Sequence, residues 1–160
     1  MSIDLPLTFN SLECRRLGPE WQSALTEFFH TIRQAGADNY FHPHPLTPEE
    51  SERRCHYTGR DFYYVLVASD KIVGYGMLRG WDEGYETPSL GIAIHPKAQG
   101  MGLGTALMGF LHVVARLRGS PRVRLTVYRS NEKGLLLFKK QGYMFQASSQ
   151  PERLVGVLEL

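Results

Sequence analysis

The chain has 160 residues, 42% of them hydrophobic, 11% aromatic and 21% charged. That length predicts one domain over residues 1–160, large enough to bury a core without disulfide staples, and the aromatic content argues against disorder. Eighteen Lys and Arg against sixteen Asp and Glu leave a net charge of +2 with histidine neutral, too balanced for a protein whose main task is gripping a nucleic-acid backbone.

Leu7 to Leu17 alternates loosely and reads as a first strand. Pro19 opens a helix to about Ala35, with Trp21, Ala24, Leu25, Phe28, Phe29 and Ile32 at spacings of three and four, and Gly36 stops it. Asn39 to Pro48 is loop, because Pro43, Pro45 and Pro48 forbid a regular helix or a central strand. Thr47-Pro48-Glu49-Glu50 starts a helix: Thr caps, Pro takes the first turn, and the acids suit the positive end of the dipole. Phe62–Ala68 and Ile72–Leu78 are strands joined by a turn at Ser69-Asp70-Lys71, and Ser89–Ile94 is a third. A helix over about Gly102–Leu117 follows, with Leu103, Ala106, Leu107, Phe110, Leu111, Val114 and Leu117 as the expected buried stripe. Val123–Val127 is a strand, Glu132–Gln141 a helix closed by Gly142, and Tyr143–Ala147 and Leu154–Leu158 are two last strands. The order predicts an α/β (α+β) mixed sheet of about seven strands with about four helices, not a pure doubly wound one.

Cys14 and Cys55 cannot form a disulfide framework or fill a four-thiolate zinc site. They read as ordinary thiols of a reducing compartment. Met1–Pro6 has no basic region followed by a long apolar run, and no apolar stretch approaches the roughly 18 residues that span a bilayer. A cytoplasmic protein without membrane or nucleic-acid partners is expected.

The chemistry points to Ile92-Ala93-Ile94-His95-Pro96-Lys97-Ala98-Gln99-Gly100-Met101-Gly102-Leu103-Gly104-Thr105: strand, short loop, three glycines at alternate positions, helix. Glycines let the backbone turn tightly and approach a ligand. Loop amides and the unpaired N–H groups of a helix start together make a cradle for phosphate or pyrophosphate. A nucleotide P-loop would need Gly-Lys-Ser/Thr, and a dinucleotide fingerprint a small residue where Thr105 stands. A turn used only for tight packing is the other reading.

Gln99-x-x-Gly102-x-Gly104 resembles the Gln/Arg-x-x-Gly-x-Gly/Ala signature of the GNAT N-acetyltransferases. Asn131-Glu132-Lys133-Gly134-Leu135-Leu136-Leu137-Phe138-Lys139-Lys140-Gln141-Gly142-Tyr143 resembles the same family's Asn-x-x-Ala-x-x-x-Tyr-x-x-x-Gly-Phe segment, and the element order matches over nearly the whole chain. The resemblance implies the acyl-CoA N-acyltransferase fold and acetyl-CoA as co-substrate. It implies that backbone amides of Gly100, Met101, Gly102, Leu103, Gly104 and Thr105, after Gln99, hold the pyrophosphate, and that Ile92 and Ile94 pair with the pantetheine arm like an added strand. Asn131 and Phe138 would lie along the same arm. No metal is expected.

The implied reaction is direct attack of a primary amine, expected on a small molecule, on the thioester. It needs a base for the ammonium, a donor for the developing oxyanion and an acid for the thiolate. Phe138 stands where many members of the family place a tyrosine acid, and Thr126 where some place a glutamate base. Glu86, two residues from Pro88 and four from Leu90, could share their strand face and act through a water, or be an exposed loop carboxylate. Tyr128 could be the acid, or a half-buried strand aromatic. His42 and His44 suit acceptor contact or structural hydrogen bonding more than metal, and His95 a positional role. Acids and aromatics in Gly80–Glu86 suit a cationic or sugar-like acceptor, or form an ordinary connection. The alternative function is a non-catalytic acyl-CoA-binding or regulatory module, and the terminal strands could pair across a homodimer.

Overall fold

The computed structural model describes residues 9–160. The readings placed on Met1–Pro6, Leu7 and Thr8 lie outside the described residues. A seven-stranded sheet is built from β1 (Leu12–Arg16), β2 (Phe62–Ala68), β3 (Lys71–Arg79), β4 (Ser89–Ile94), β5 (Arg122–Tyr128), β6 (Met144–Ala147) and β7 (Arg153–Glu159), in the order β1-β2-β3-β4-β5-β7-β6. All neighbours are antiparallel except β4 and β5. The sheet is therefore mixed, as the element order predicts. β7 is paired on both edges, so of the two terminal strands only β6 presents an open edge.

Four helices cover the two faces: α1 (Gln22–Gln34), α2 (Pro48–Cys55), α3 (Leu103–Leu117) and α4 (Glu132–Lys140). α1 is entered through a 3-10 turn at Pro19–Trp21 and buries Leu25, Phe28, Phe29 and Ile32. It packs with Phe41, Tyr63, Val65, Tyr75 and Met77 on one face of the sheet. α3 packs on the other face against Leu66, Leu78, Leu90 and Leu125, where Leu135, Leu137 and Phe138 of α4 join it. Each large apolar side chain so buried contributes about 1.5–3 kcal/mol.

Local chemistry fixes the ends of these elements. Thr47 caps α2 by accepting from Glu50 N–H (3.1 Å). Gly36 and Gly142 stand just past α1 and α4 with φ of 92° and 97°. Tyr143 N–H donates back to Phe138 O (3.1 Å), closing the α4 terminus. The β2–β3 turn uses Ser69 and Asp70, both left-handed, while Lys71 already pairs with Ala68.

The stripe expected for α3 is rotated. Its buried residues are Leu103, Leu107, Met108, Leu111, His112 and Ala115. Ala106 is exposed, and Phe110 and Leu117 are 37% and 84% exposed. The line facing the sheet runs in steps of four from Leu103 through Ala115, so the residues three along fall on its outer flank. His112 is buried beside that line with Met108, and its Nε2, 2.8 Å from the Tyr143 hydroxyl, is satisfied there. Among the described residues no helix is long and apolar enough to cross a membrane.

Candidate active site

β4 and β5 run parallel but share a single register pair, Ser89 with Arg124. There Arg124 N–H donates to Pro88 O (3.0 Å). β4 is otherwise held by β3 along its whole length, and β5 by β7. Beyond Ser89 the two strands part and leave a gap in the sheet. His95 N–H donates to Val73 O (2.8 Å) and Ala93 faces Tyr75. The antiparallel ladder alternates, so the peptide groups of Ile92 and Ile94 turn the other way, into the gap. Among the described residues, only a long contact from the Gln99 side-chain amide (3.5 Å) reaches Ile94 O.

At the wide end of the gap the chain makes a 3-10 turn, Pro96–Ala98, capped by His95, whose Nδ1 accepts from Lys97 N–H (3.1 Å). His95 is thus positional, and the fully buried Ala98 pins the turn. Gly100 and Gly102 follow with φ of 78° and 87°, a conformation that costs other residues roughly 1–2 kcal/mol. The first backbone bond of α3 is Ala106 N–H to Gly102 O. Among the described residues, no acceptor takes the N–H of Gly102, Leu103, Gly104 or Thr105. A Cβ on Gly100 or Gly102 would meet no atom within 4 Å, so there is space over these amides that a ligand can fill. Gly104 differs: its Cβ would stand 3.2 Å from Leu137 Cδ2. Its missing side chain answers to α3–α4 packing, although its N–H still belongs to the helix start. Unpaired amides at the positive end of a 15-residue helix suit a diphosphate.

Across the gap, Asn131 caps α4, its Oδ1 accepting from Gly134 N–H (3.0 Å). Gly134 permits this, since a Cβ there would lie 2.6 Å from Asn131 Nδ2. Asn131 and the half-buried Phe138 both line the cleft.

The cleft has a volume of about 1710 Å³ and passes through the sheet. On the α3 side it is lined by Leu103, Leu125, Val127 and Leu137. On the opposite face β5 turns out Arg124, Thr126 and Tyr128. Above them pass Tyr40, His42 and Pro43 from the α1–α2 connection, and Glu83 to Thr87 from the β3–β4 hairpin. The prolyl loop is tied down where this crossing ends. Arg79 donates to Pro43 O. The buried His44 has Nδ1 2.7 Å from Pro45 O and Nε2 2.8 Å from the Tyr75 hydroxyl. A carbonyl can only accept, so Nδ1 carries the proton and Nε2 accepts from Tyr75. Burial lowers the His44 pKa from 6.5 to about 4, which keeps it neutral. The two histidines therefore separate: His44 is a core anchor and His42 faces the cleft.

The candidate catalytic residues stand as follows. Tyr128 is half-buried at the mouth. Arg153 Nη2 donates to its hydroxyl (2.6 Å), and His42 lies 4.5 Å from its ring, centroid to centroid. Glu86 is exposed in a bend ahead of β4. The strand begins at Ser89, so the two-residue period does not extend to Glu86 and the shared face with Pro88, Leu90 and Ile92 is lost. It still lines the cleft, on its hairpin side. Trp81 and Asp82 are absorbed by structure: Trp81 is buried against Phe62 and Arg118, and Asp82 accepts from Tyr57 and from Arg60 N–H. Arg153 and Tyr40 are cleft residues that sequence reasoning missed. No local signal marks them, because the β5–β7 register sets Arg153 opposite Tyr128 and a long loop brings in Tyr40. Among the described residues no group of three or more His, Cys, Asp or Glu converges as a metal site.

The sequence profile of the Acetyltransferase (GNAT) family matches residues 26–143. The chain belongs to this acetyltransferase family. A search of the curated proteins finds no match. Among solved structures, the GNAT domain of S. lividans PAT superposes with a TM-score of 0.81 at 17% identity, over 93% of this chain and 90% of that one. The PaiA N-acetyltransferase of Thermoplasma acidophilum in complex with coenzyme A gives 0.78 at 15% identity, over 94% and 99%. The ribosomal-protein-S18-alanine N-acetyltransferase of Escherichia coli gives 0.71 at 17% identity, over 93% and 94%. Such identities establish the GNAT acyl-CoA N-acyltransferase fold. The family uses acetyl-CoA, and the open amides of the Gln99–Thr105 loop fit a diphosphate-bearing co-substrate.

Proposed function

We propose that this protein transfers the acetyl group of acetyl-CoA to a primary amine of a small molecule. The observation that carries the reading is the gap between β4 and β5, open at the amide cradle on one face of the sheet and at the Tyr128 mouth on the other. When bound, acetyl-CoA supplies the acetyl group as a thioester. Amides of Gly100, Met101, Gly102, Leu103, Gly104 and Thr105 would hold its diphosphate, and the free peptide groups of Ile92 and Ile94 its pantetheine amides. Gln99, Asn131 and Phe138 would line the same path. The amine enters from the α1–α2 face. Glu86 would attract the ammonium and take its proton by way of a water, and Tyr128 would give a proton to the departing thiolate. Arg79 and His44 hold the loop that crosses this mouth, which favours a compact acceptor. Two of the similar structures are ribosomal-protein alanine acetyltransferases, so a protein N-terminus is the competing acceptor. The thiols of Cys14 and Cys55, both free, suit a reducing cytoplasmic setting.

Titration calorimetry with acetyl-CoA tests the site. We expect binding by the native chain and none by Gly102→Val, whose side chain would enter the cradle. Absence of binding by the native chain at millimolar co-substrate overturns the reading. Thr126 and Phe138, which offer no acid or base where relatives carry them, favour a second reading, an acyl-CoA-binding module without turnover. Binding without acetylation of any amine in a panel of amino sugars, polyamines, amino acids and peptide N-termini would select it.

A further inference from the structure

We infer that Arg153 is a positioning residue for Tyr128: it holds the phenol so that its O–H points into the cleft. The inference rests on the acetyltransferase reading above and names a residue that reading does not use. Arg153 opens β7 and is the register partner of Tyr128 at the end of β5. Arg129 N–H donates to Glu152 O (2.9 Å), which locks the two strand ends together. From this frame Arg153 Nη2 reaches the Tyr128 hydroxyl at 2.6 Å, and its guanidinium carbon lies 4.7 Å from the ring centroid. His42 and Tyr40 meet the ring at centroid distances of 4.5 and 6.4 Å.

The hydrogen-bond chemistry gives this contact a direction. A guanidinium has donors only, so the phenol oxygen must accept, and its own hydrogen must point elsewhere. Among the described residues no other group bonds to that hydroxyl, and Tyr128 lines the cleft. The hydrogen is thus left for a ligand. Two further observations set Arg153 apart from a surface arginine. Among the described residues it has no carboxylate partner, and its Nε is buried without an acceptor. An unpaired buried donor costs roughly 1–3 kcal/mol, a cost that a solvated arginine would not carry. The chain accepts it and keeps the guanidinium on Tyr128.

The step served is the last one. As the amine nitrogen bonds to the acetyl carbon, the C–S bond breaks and its electron pair stays on sulfur. The Tyr128 O–H proton passes to that sulfur, giving the free thiol. The resulting phenolate remains bonded to the Arg153 N–H until a proton from solvent restores it, while the proton lost by the amine leaves through Glu86 and water.

The test compares Arg153→Met, Arg153→Lys, Tyr128→Phe and Arg153→Met/Tyr128→Phe in the full chain carrying 3-fluorotyrosine. The fluorine signal missing from Tyr128→Phe identifies residue 128. We expect it to move and broaden in Arg153→Met and to be largely restored in Arg153→Lys, with acetyl-CoA affinity by calorimetry unchanged in both. With glucosamine and spermidine as acceptors, we expect Arg153→Met to lower kcat ten- to a hundredfold with KM for acetyl-CoA unchanged, and to cost nothing further in the Tyr128→Phe background. An unmoved fluorine signal, or an equal fall in kcat in both backgrounds, overturns the inference. If neither amine turns over, the fluorine signal alone decides. Loss of acetyl-CoA binding in the native chain instead removes the acetyltransferase reading, and the inference with it.

Discussion

Acidification should loosen the loop that crosses the acceptor mouth, and the size of the effect follows from His44. This side chain is only 8% exposed and sits among the rings of Phe29, Phe41 and Tyr75. Protonation would turn Nε2 into a second donor aimed at the Tyr75 hydroxyl, inside a site whose burial already disfavours charge. Its native pKa of about 4 lies below the unfolded value of about 6.5, so the unfolded chain binds the proton more tightly. His44 therefore adds stability that is fully present above pH 6.5, falls as the pH drops below that value, and is gone below pH 4. At about 1.36 kcal/mol per pH unit, the whole window amounts to about 3 kcal/mol, of which about 2 kcal/mol is lost between pH 7.5 and 5. His95 and His112 are also lowered by burial and act in the same direction, so a variant must isolate the His44 share. Urea unfolding of the native chain and of His44→Gln at pH 7.5, 6.5, 5.5 and 5.0 does so. The variant should be less stable at pH 7.5 and should lose about 2 kcal/mol less on going to pH 5. Parallel loss by the two proteins would refute the reasoning, because it would mean that His44 does not titrate differently on folding.

The remaining predictions concern the scaffold of the cleft. Asp61 Oδ1 accepts from the N–H groups of Gly80 and Trp81 (3.0 and 2.9 Å). Asp61→Ala should cost about 3 kcal/mol through two unpaired buried donors, and Asp61→Asn, which keeps the oxygen, should restore most of it in urea unfolding. A Cβ on Gly76 would lie 3.0 Å from Leu111 and 3.1 Å from Leu107; Gly76→Val should lift α3 from the sheet, costing about 1–3 kcal/mol and weakening acetyl-CoA binding by calorimetry. Asn131→Ala removes the α4 cap and should cost about 1 kcal/mol, while Asn131→Asp should retain it; equal losses would refute the capping role.

The sequence displayed the cradle better than the mouth, for a physical reason. A diphosphate cradle is local. It needs a strand end, glycines able to take positive φ, and a helix start, and these lie within the run Ile92–Thr105. Hydrophobic period placed the helices, and turn chemistry at Ser69-Asp70 and Gly142 placed their neighbours. What failed was finer phase. The predicted α3 stripe holds at Leu103, Leu107 and Leu111 but is too wide on one flank: Ala106, Phe110 and Leu117 are as apolar as the residues that face the sheet, and only contact with the sheet distinguishes them. The two-residue period that puts Glu86 on the β4 face does not hold across Pro88, because the strand begins only at Ser89. Arg153 was invisible because its role comes from the β5–β7 register, set 25 residues away from Tyr128.

This difference in locality bears on how such a protein can change its acceptor. The proposed cradle draws on backbone amides, which most substitutions elsewhere leave in place, so on this proposal co-substrate recognition should tolerate wide drift provided Gly100 and Gly102 keep their conformation. The mouth is assembled from three separate connections: the prolyl loop held by Arg79 and His44, the hairpin held by Asp61, and the β7 end held by Arg129. Of these anchors His44, Asp61 and Arg129 lie outside the lining of the cleft. A change in one connection can therefore reshape the proposed acceptor side without touching the amides proposed to face the diphosphate. The strands that flank both sides pair at Ser89 and Arg124, where the gap closes, so substitutions at that pair should disturb both kinds of binding together, whereas those at Tyr40 or Glu83 should alter acceptor choice and leave acetyl-CoA affinity as it was.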